Sequence, residues 1–314
     1  MDLLSYTLRR LLQAVPVVIG VTVLVFFMIH LVPGDPARTM LGTHADPARI
    51  AALHKEWGLD QPLWVQYKDF MSRLLHGNLG DSLYYQESAG TLIMGRLPAT
   101  IWLLAYSTIL SIVIAVPLAA LAASKKDAAR DQVVRAVPMI GLGFPPFWLG
   151  IMLLLLVALH SGGFFPVGGY GNGFTGHLQA MFLPSLTIAL GISPILIRSL
   201  RASLLNVLES DYIMTARSKG ISERRVMYRH ALRNGVISTV TVLGINLAFL
   251  VGATVVIEQV FAVPGIGQLM LNSIFQRDFP IVQGVTLVFA IMVVVIYLAA
   301  DVVHAMLDPR VRFD

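Results

Sequence analysis

Residues 136–197 contain no Asp, Glu, Lys or Arg, and neither do residues 234–257. About one residue in four is charged in a soluble domain, so a run of 62 without any belongs in a bilayer. A membrane helix needs about 20 apolar residues, so this block is too long for one crossing. The Gly/Pro-rich stretch 160–176 (HSGGFFPVGGYGNGFTG) divides it into spans near 137–159 and 178–197.

Other apolar stretches complete the pattern. Arg9 and Arg10 precede 24 uncharged residues, 11–34, too long for a signal-peptide core and read as an uncleaved first helix. Further spans are expected at 97–124, near 236–257 and near 280–303. The expectation is an all-α polytopic membrane protein with six transmembrane helices. With no Cys there is neither a disulfide framework nor thiolate chemistry.

Lys and Arg set the orientation. The N-terminus, 125–135, 198–234 and the C-terminus together hold 16, the remaining segments 7. The positive-inside rule then places both termini in the cytosol. The net charge of +5 lies mostly in these loops and calls for the lipid bilayer as partner, not nucleic acid. Residues 35–96 are mixed in charge and form an external insert. In it Asp46-Pro47 starts a helix that stops at Gly58, and a second helix, 60–75, carries Trp64, Tyr67 and Phe70 toward the membrane domain or its interface.

The most polar segment between two apolar ones is 211–234, DYIMTARSKGISERRVMYRHALRN. It reads as two short helices with a break. Ser210 or Asp211 can cap the first, Gly220 suits a left-handed C-terminal residue, and Ser222 can cap the second. Ile221 and Val226 fit a hydrophobic staple. Local pattern alone leaves two alternatives open: an ordinary basic cytosolic loop, or an amphipathic segment lying on anionic lipid.

Ala216, then Gly220 after three residues, then a helix re-entering the membrane, resembles the coupling loop of ABC importer permeases. The longer string is similar to that of the dipeptide, oligopeptide, glutathione and nickel permeases. VPGDPA (32–37), GLDQPL (58–63), the segment from Glu258 to Gly267, Arg277-Asp278-Phe279-Pro280, Asp301 and Leu307-Asp308-Pro309-Arg310 carry the resemblance across the chain. Two departures stand out: Met214-Thr215-Ala216 replaces Glu-Ala-Ala, and Gly235-Val236-Ile237-Ser238 lacks the usual Pro. The resemblance implies a type I permease fold with a cytosolic N-terminus and first helix (1–34), a periplasmic insert (35–96) and a five-helix core (97–314) with its coupling loop at 198–234. It implies residence in a bacterial inner membrane. It implies as partners a second homologous permease, two ATP-binding-cassette ATPase subunits and an external solute-binding protein. ATP hydrolysis would belong to those partners. The resemblance assigns ATPase coupling to Asp211, Tyr212, Thr215, Ala216, Lys219, Gly220, Ser222, Arg225 and His230, with Ala216 packed on the ATPase.

Three further features deserve a role. Gly244, Ala248 and Gly252 form a small-residue stripe that admits a second helix, in this chain or another. Glu258, an ionisable group at the rim of an apolar helix, is a pathway or outer-gate candidate with Phe261, Pro264 and Gly265. It can equally pair with Arg277 or meet outer headgroups. Asp301 caps the last helix or pairs with a cytosolic Arg. The His residues show no metal-ligand spacing, and no P-loop, H-E-x-x-H or G-x-S-x-G sequence occurs, so the chain calls for no metal, cofactor or catalytic residue of its own. An intramembrane hydrolase would need a reactive pair at bilayer depth. A secondary transporter would need an internal repeat and a midplane carboxylate. Neither signal is evident. Among importers, di- or oligopeptides are the expected substrates, with glutathione or nickel as alternatives.

Overall fold

A computed structural model describes residues 3–31, 36–41, 46–82 and 84–307. The segment 32–35 and the closing 308–312, both used in the resemblance, lie outside the described residues. Among the described residues the regular elements are helices.

The first span, α1 (Leu3–Leu31), is followed by the short helices α2 (Pro36–Leu41), α3 (Pro47–Trp57) and α4 (Leu63–Leu75). As expected, Asp46 caps α3 by accepting the Ala48 N–H at 3.0 Å, and Gly58 ends it at φ 65°. Tyr67 and Phe70 of α4 pack on Phe26 of α1, and the Tyr67 hydroxyl is 2.9 Å from Thr22 Oγ1. Trp64 instead remains 70% exposed.

Next come α5 (Ala89–Ala123), α6 (Ala129–Leu142), α7 (Pro146–Leu153) and α8 (Gly173–Leu208). Helix α5 begins eight residues before the expected 97, because its first turns bury Ala89 and Ile93 against the last span. Helix α8 is the centre of the molecule: 72% of its apolar window is buried, against 17–28% for the other spans. Then follow α9 (Asp211–Ser218), α10 (Glu223–Arg225), a π turn at Val226–Ala231, α11 (Leu232–Val260), α12 (Ile266–Phe275) and α13 (Phe279–Leu307).

Among the described residues five helices are long and apolar enough to cross a membrane. The span expected near 137–159 is not one helix. It is divided into α6, a bend at 143–145, α7 and a π turn at Leu154–Ala158. Pro145 and Pro146 are the cause: each lacks an N–H donor, and each disfavours helical backbone in the residue before it. The divided segment nevertheless runs the length of the bundle. At one end Asp131 of α6 meets Arg201 near the end of α8, and at the other Gly150 of α7 lies so close to Phe261, just beyond α11, that an added Cβ would stand 3.0 Å from its ring.

Long-range contacts define the two ends. At the α9 end, Arg10 of α1 lies 3.2 Å from Asp301 of α13, and Thr241 of α11 lies 2.8 Å from His304. Asp301 therefore pairs with an arginine from the N-terminal helix. At the α12 end, Ser82 donates a short hydrogen bond to the buried Asp278, joining the insert to the start of α13.

Candidate functional site

The segment between α8 and α11 folds locally as its sequence dictates. Ser210 and Ser222 occupy the N-cap positions of α9 and α10, but neither side chain bonds a helix N–H; Ser210 Oγ donates back to the Val207 carbonyl. Gly220 separates the two helices at φ 77°, and a Cβ there would meet nothing within 4 Å. Glycine is required here for its backbone, not for space.

The element has an inward and an outward face. Ile213 and Ala216 are the buried residues of α9, which packs against the π turn carrying buried Val226, Met227 and Ala231. Within this chain Ala216 is covered from the π-turn side and is 7% exposed. Asp211, Tyr212, Met214, Thr215, Lys219, Gly220, Ser222 and Arg225 are exposed, and His230 is half-buried. A docking surface, if it lies on this element, consists of those exposed residues.

Two clamps hold the element, and neither was visible in the sequence. Arg217 donates to Glu223 from Nε at 2.8 Å and Nη2 at 3.2 Å, spanning the Gly220 break. Asn234 of α11 donates to the Tyr212 hydroxyl of α9 at 2.8 Å. Beneath them, Asp131 of α6 is fully buried and accepts two 2.5 Å hydrogen bonds from Arg201 of α8. This pairing holds the Asp131 carboxyl below the usual carboxylate range.

At the opposite end, Glu258 is fully buried. Thr100 of α5 donates to its Oε1 at 2.6 Å while accepting the Ile266 N–H at 3.0 Å. The Gln268 N–H donates to Oε2 at 2.8 Å. The carboxylate therefore caps the N-terminus of α12, where the helix dipole favours negative charge. A Cβ on Gly265 would stand 2.3 Å from the Glu258 carboxyl carbon, so only glycine leaves room for it. Phe261 is buried and Pro264 exposed. Glu258, Phe261 and Gly265 form a closed junction; Glu258 is shielded from solvent, and among the described residues it forms no ion pair with Arg277. Gly244 packs on Ala300 of α13, where an added Cβ would lie 2.5 Å from the Ala300 Cβ. Ala248 is buried, but Gly252 is exposed, with nothing within 4 Å of its would-be Cβ.

Two cavities flank the polar element. One, of about 790 Å³, lies between the last turns of α5 and the π turn. The other, of about 830 Å³, is lined by Ser222, Tyr228 and four arginines.

Comparison with known proteins fits this architecture. Residues 115–313 match the family described as "Binding-protein-dependent transport system inner membrane component", and residues 3–104 match its N-terminal companion. The chain is 35% identical to the oligopeptide transport system permease protein AppB of Bacillus subtilis (strain 168), over 98% of this chain and 99% of the relative. It is 36% identical to the glutathione transport system permease protein GsiC of Salmonella typhimurium (strain LT2), over 99% and 100%. A putative peptide transport system permease protein of Brucella abortus (strain 2308) is 38% identical over 98% of both chains. Among solved structures, a chain from the inward-facing MetNI methionine ABC transporter superposes with a TM-score of 0.56 at 17% identity, covering 69% of this chain and 96% of that one. At that identity the match speaks for the fold. Family match and full-length relatives together place this chain in the family of inner membrane components of binding-protein-dependent transport systems.

Proposed function

We propose that this transport subunit forms half of the translocation path of an ABC importer for short peptides, and that 211–231 is its contact with an ATPase subunit. One observation carries the proposal: a helix–glycine–helix element, clamped on its inner face and exposed on its outer face, closes the end of the bundle where α1 begins and α13 ends. Such an element transmits motion without chemistry of its own, in keeping with a chain that is a permease subunit and not an enzyme. Its basic surroundings support a cytosolic position for that end and for both termini. The insert containing α2–α4 would then lie outside, where an external solute-binding protein delivers substrate. A second, homologous permease and two ATPase subunits complete the assembly. The transport roles of these relatives favour peptides; glutathione, itself a tripeptide, belongs to the same range.

The test is purification of the tagged chain from native membranes, followed by reconstitution with whatever co-purifies. Co-purification of ATP-binding-cassette subunits, and ATP hydrolysis stimulated by short peptides with their binding protein, is expected. Transport by the chain alone on an ion gradient, without ATP, would overturn the reading.

A further inference from the structure

We infer that the cleft between the end of α5, the start of α6 and the π turn at Val226–Ala231 holds the headgroup and upper acyl chain of an anionic phospholipid. The 790 Å³ cavity has walls of two kinds. Leu118, Leu121 and Met227 supply apolar surface, while Arg130 and Arg224 supply cations. The Arg130 Nε–H is buried without a hydrogen-bond acceptor among the described residues, an uncommon and costly state for a charged donor. Glu223 is the one carboxylate on the wall, and Arg217 already holds it in two hydrogen bonds. The adjoining cavity shares Arg224 and Tyr228 and adds Arg225, Arg229 and Arg233. Among the described residues none of these four arginines forms an ion pair.

An amphiphile with an anionic head matches this lining better than any single-character ligand. A phosphodiester accepts several guanidinium hydrogen bonds, and an acyl chain fits the leucine and methionine wall. The position agrees: the arginines run from just before α11 into its first turn, at the level where a basic cluster beside a span meets the leaflet surface. A soluble anion would leave the apolar wall unused.

The assay is native mass spectrometry of the purified intact complex, together with ATP hydrolysis in nanodiscs of phosphatidylglycerol or phosphatidylcholine. Wild type should retain phosphatidylglycerol in preference to phosphatidylcholine. Arg130→Gln and Arg224→Gln should each lower its retention roughly five-fold, about the effect of one basic residue at an anionic surface. Arg73→Gln, on α4 at the far end, should leave retention unchanged. Equal retention of both lipids, or equal loss in the Arg73 control, would overturn the site. Displacement of the lipid by inorganic phosphate alone would identify a soluble anion and overturn it too, as would an arginine effect present only with the ATPase bound. Lipid retention is read without transport, so failure here and failure of the peptide assignment remain distinguishable.

Discussion

Arg217 and Glu223 close the turn that Gly220 opens, through a two-point guanidinium–carboxylate contact six residues apart. Both side chains are largely exposed, at 40% and 71%, so the pair contributes under about 1 kcal/mol. The geometry of the turn depends more on the backbone of Gly220 than on this clamp.

Gly220→Val should leave membrane insertion intact and sharply lower peptide-stimulated ATP hydrolysis, because a β-branched residue at φ 77° costs on the order of 1 kcal/mol or more. Gly220→Asn should retain most activity, since Asn tolerates that conformation and the space is open. Glu223→Gln should change little. Equal behaviour of the Val and Asn variants would show that backbone conformation at this turn is immaterial.

Ala216→Arg should loosen the element itself, since the new charge is forced into a buried position without a partner. Limited proteolysis should cut within 211–234 faster than in wild type, before any question of docking arises. Ala216→Ser should be protected like wild type. Unchanged protection of the Arg variant would mean that the pocket under α9 opens readily.

Gly265→Ala should lower thermal stability by about 1–3 kcal/mol, the usual cost of forcing an extra group into a packed site. The Cβ meets a carboxyl group held by three elements. Glu258→Gln keeps one acceptor oxygen, for the Gln268 N–H, and sets an amide NH2 against Thr100, but it adds no volume and should cost less. Thermal unfolding in detergent ranks the two, and the opposite order would contradict the capping role.

The small-residue stripe splits into two tests. Gly244→Leu should reduce the yield of folded chain, because Ala300 of α13 occupies the space. Gly252→Leu meets nothing in this chain and should fold. If Gly252 faces the second permease, its Leu variant should lose complex assembly; normal assembly and transport would assign that face to lipid.

Stability should depend on pH through two buried carboxyls of opposite behaviour. Arg201 lowers the Asp131 pKa, so its contribution is present above the unfolded pKa and is lost as pH falls through the folded value. Burial raises the Asp278 pKa, so its contribution is present below the unfolded pKa and is lost as pH rises through the folded value. Asp131→Asn should destabilise by about 3–5 kcal/mol near neutrality by stranding Arg201, and should flatten the acid limb of the curve. Asp278→Asn can still bond Ser82 and should flatten the opposite limb. Melting temperatures recorded across pH would contradict this if each variant kept the wild-type slope.

The sequence made the spans legible because charge-free runs have few other places to go. It made the Gly58 and Gly220 turns legible because backbone conformation is a local property. It also carried the signal for the broken third crossing, Pro145-Pro146, which hydropathy averaging conceals. Asp131–Arg201, Thr100–Glu258 and Ser82–Asp278 were not legible: the partners stand 70, 158 and 196 residues apart, and only the packing of α5 through α13 brings them together. The inward face of Ala216 was missed for a related reason. A helix of eight residues shows too few turns for its buried side to be read from periodicity.

The fastening of α9 has a mechanical consequence. Ile213 and Ala216 are seated from below, Tyr212 is tied to Asn234 at the start of α11, and only two residues separate α9 from the end of α8. A push on its outer side therefore meets no slack. Displacement passes to α8 and α11 together, as through a short handle fixed at both ends, so the stiffness of this joint, and not the reach of a flexible tether, sets how much of the stroke arrives in the bundle.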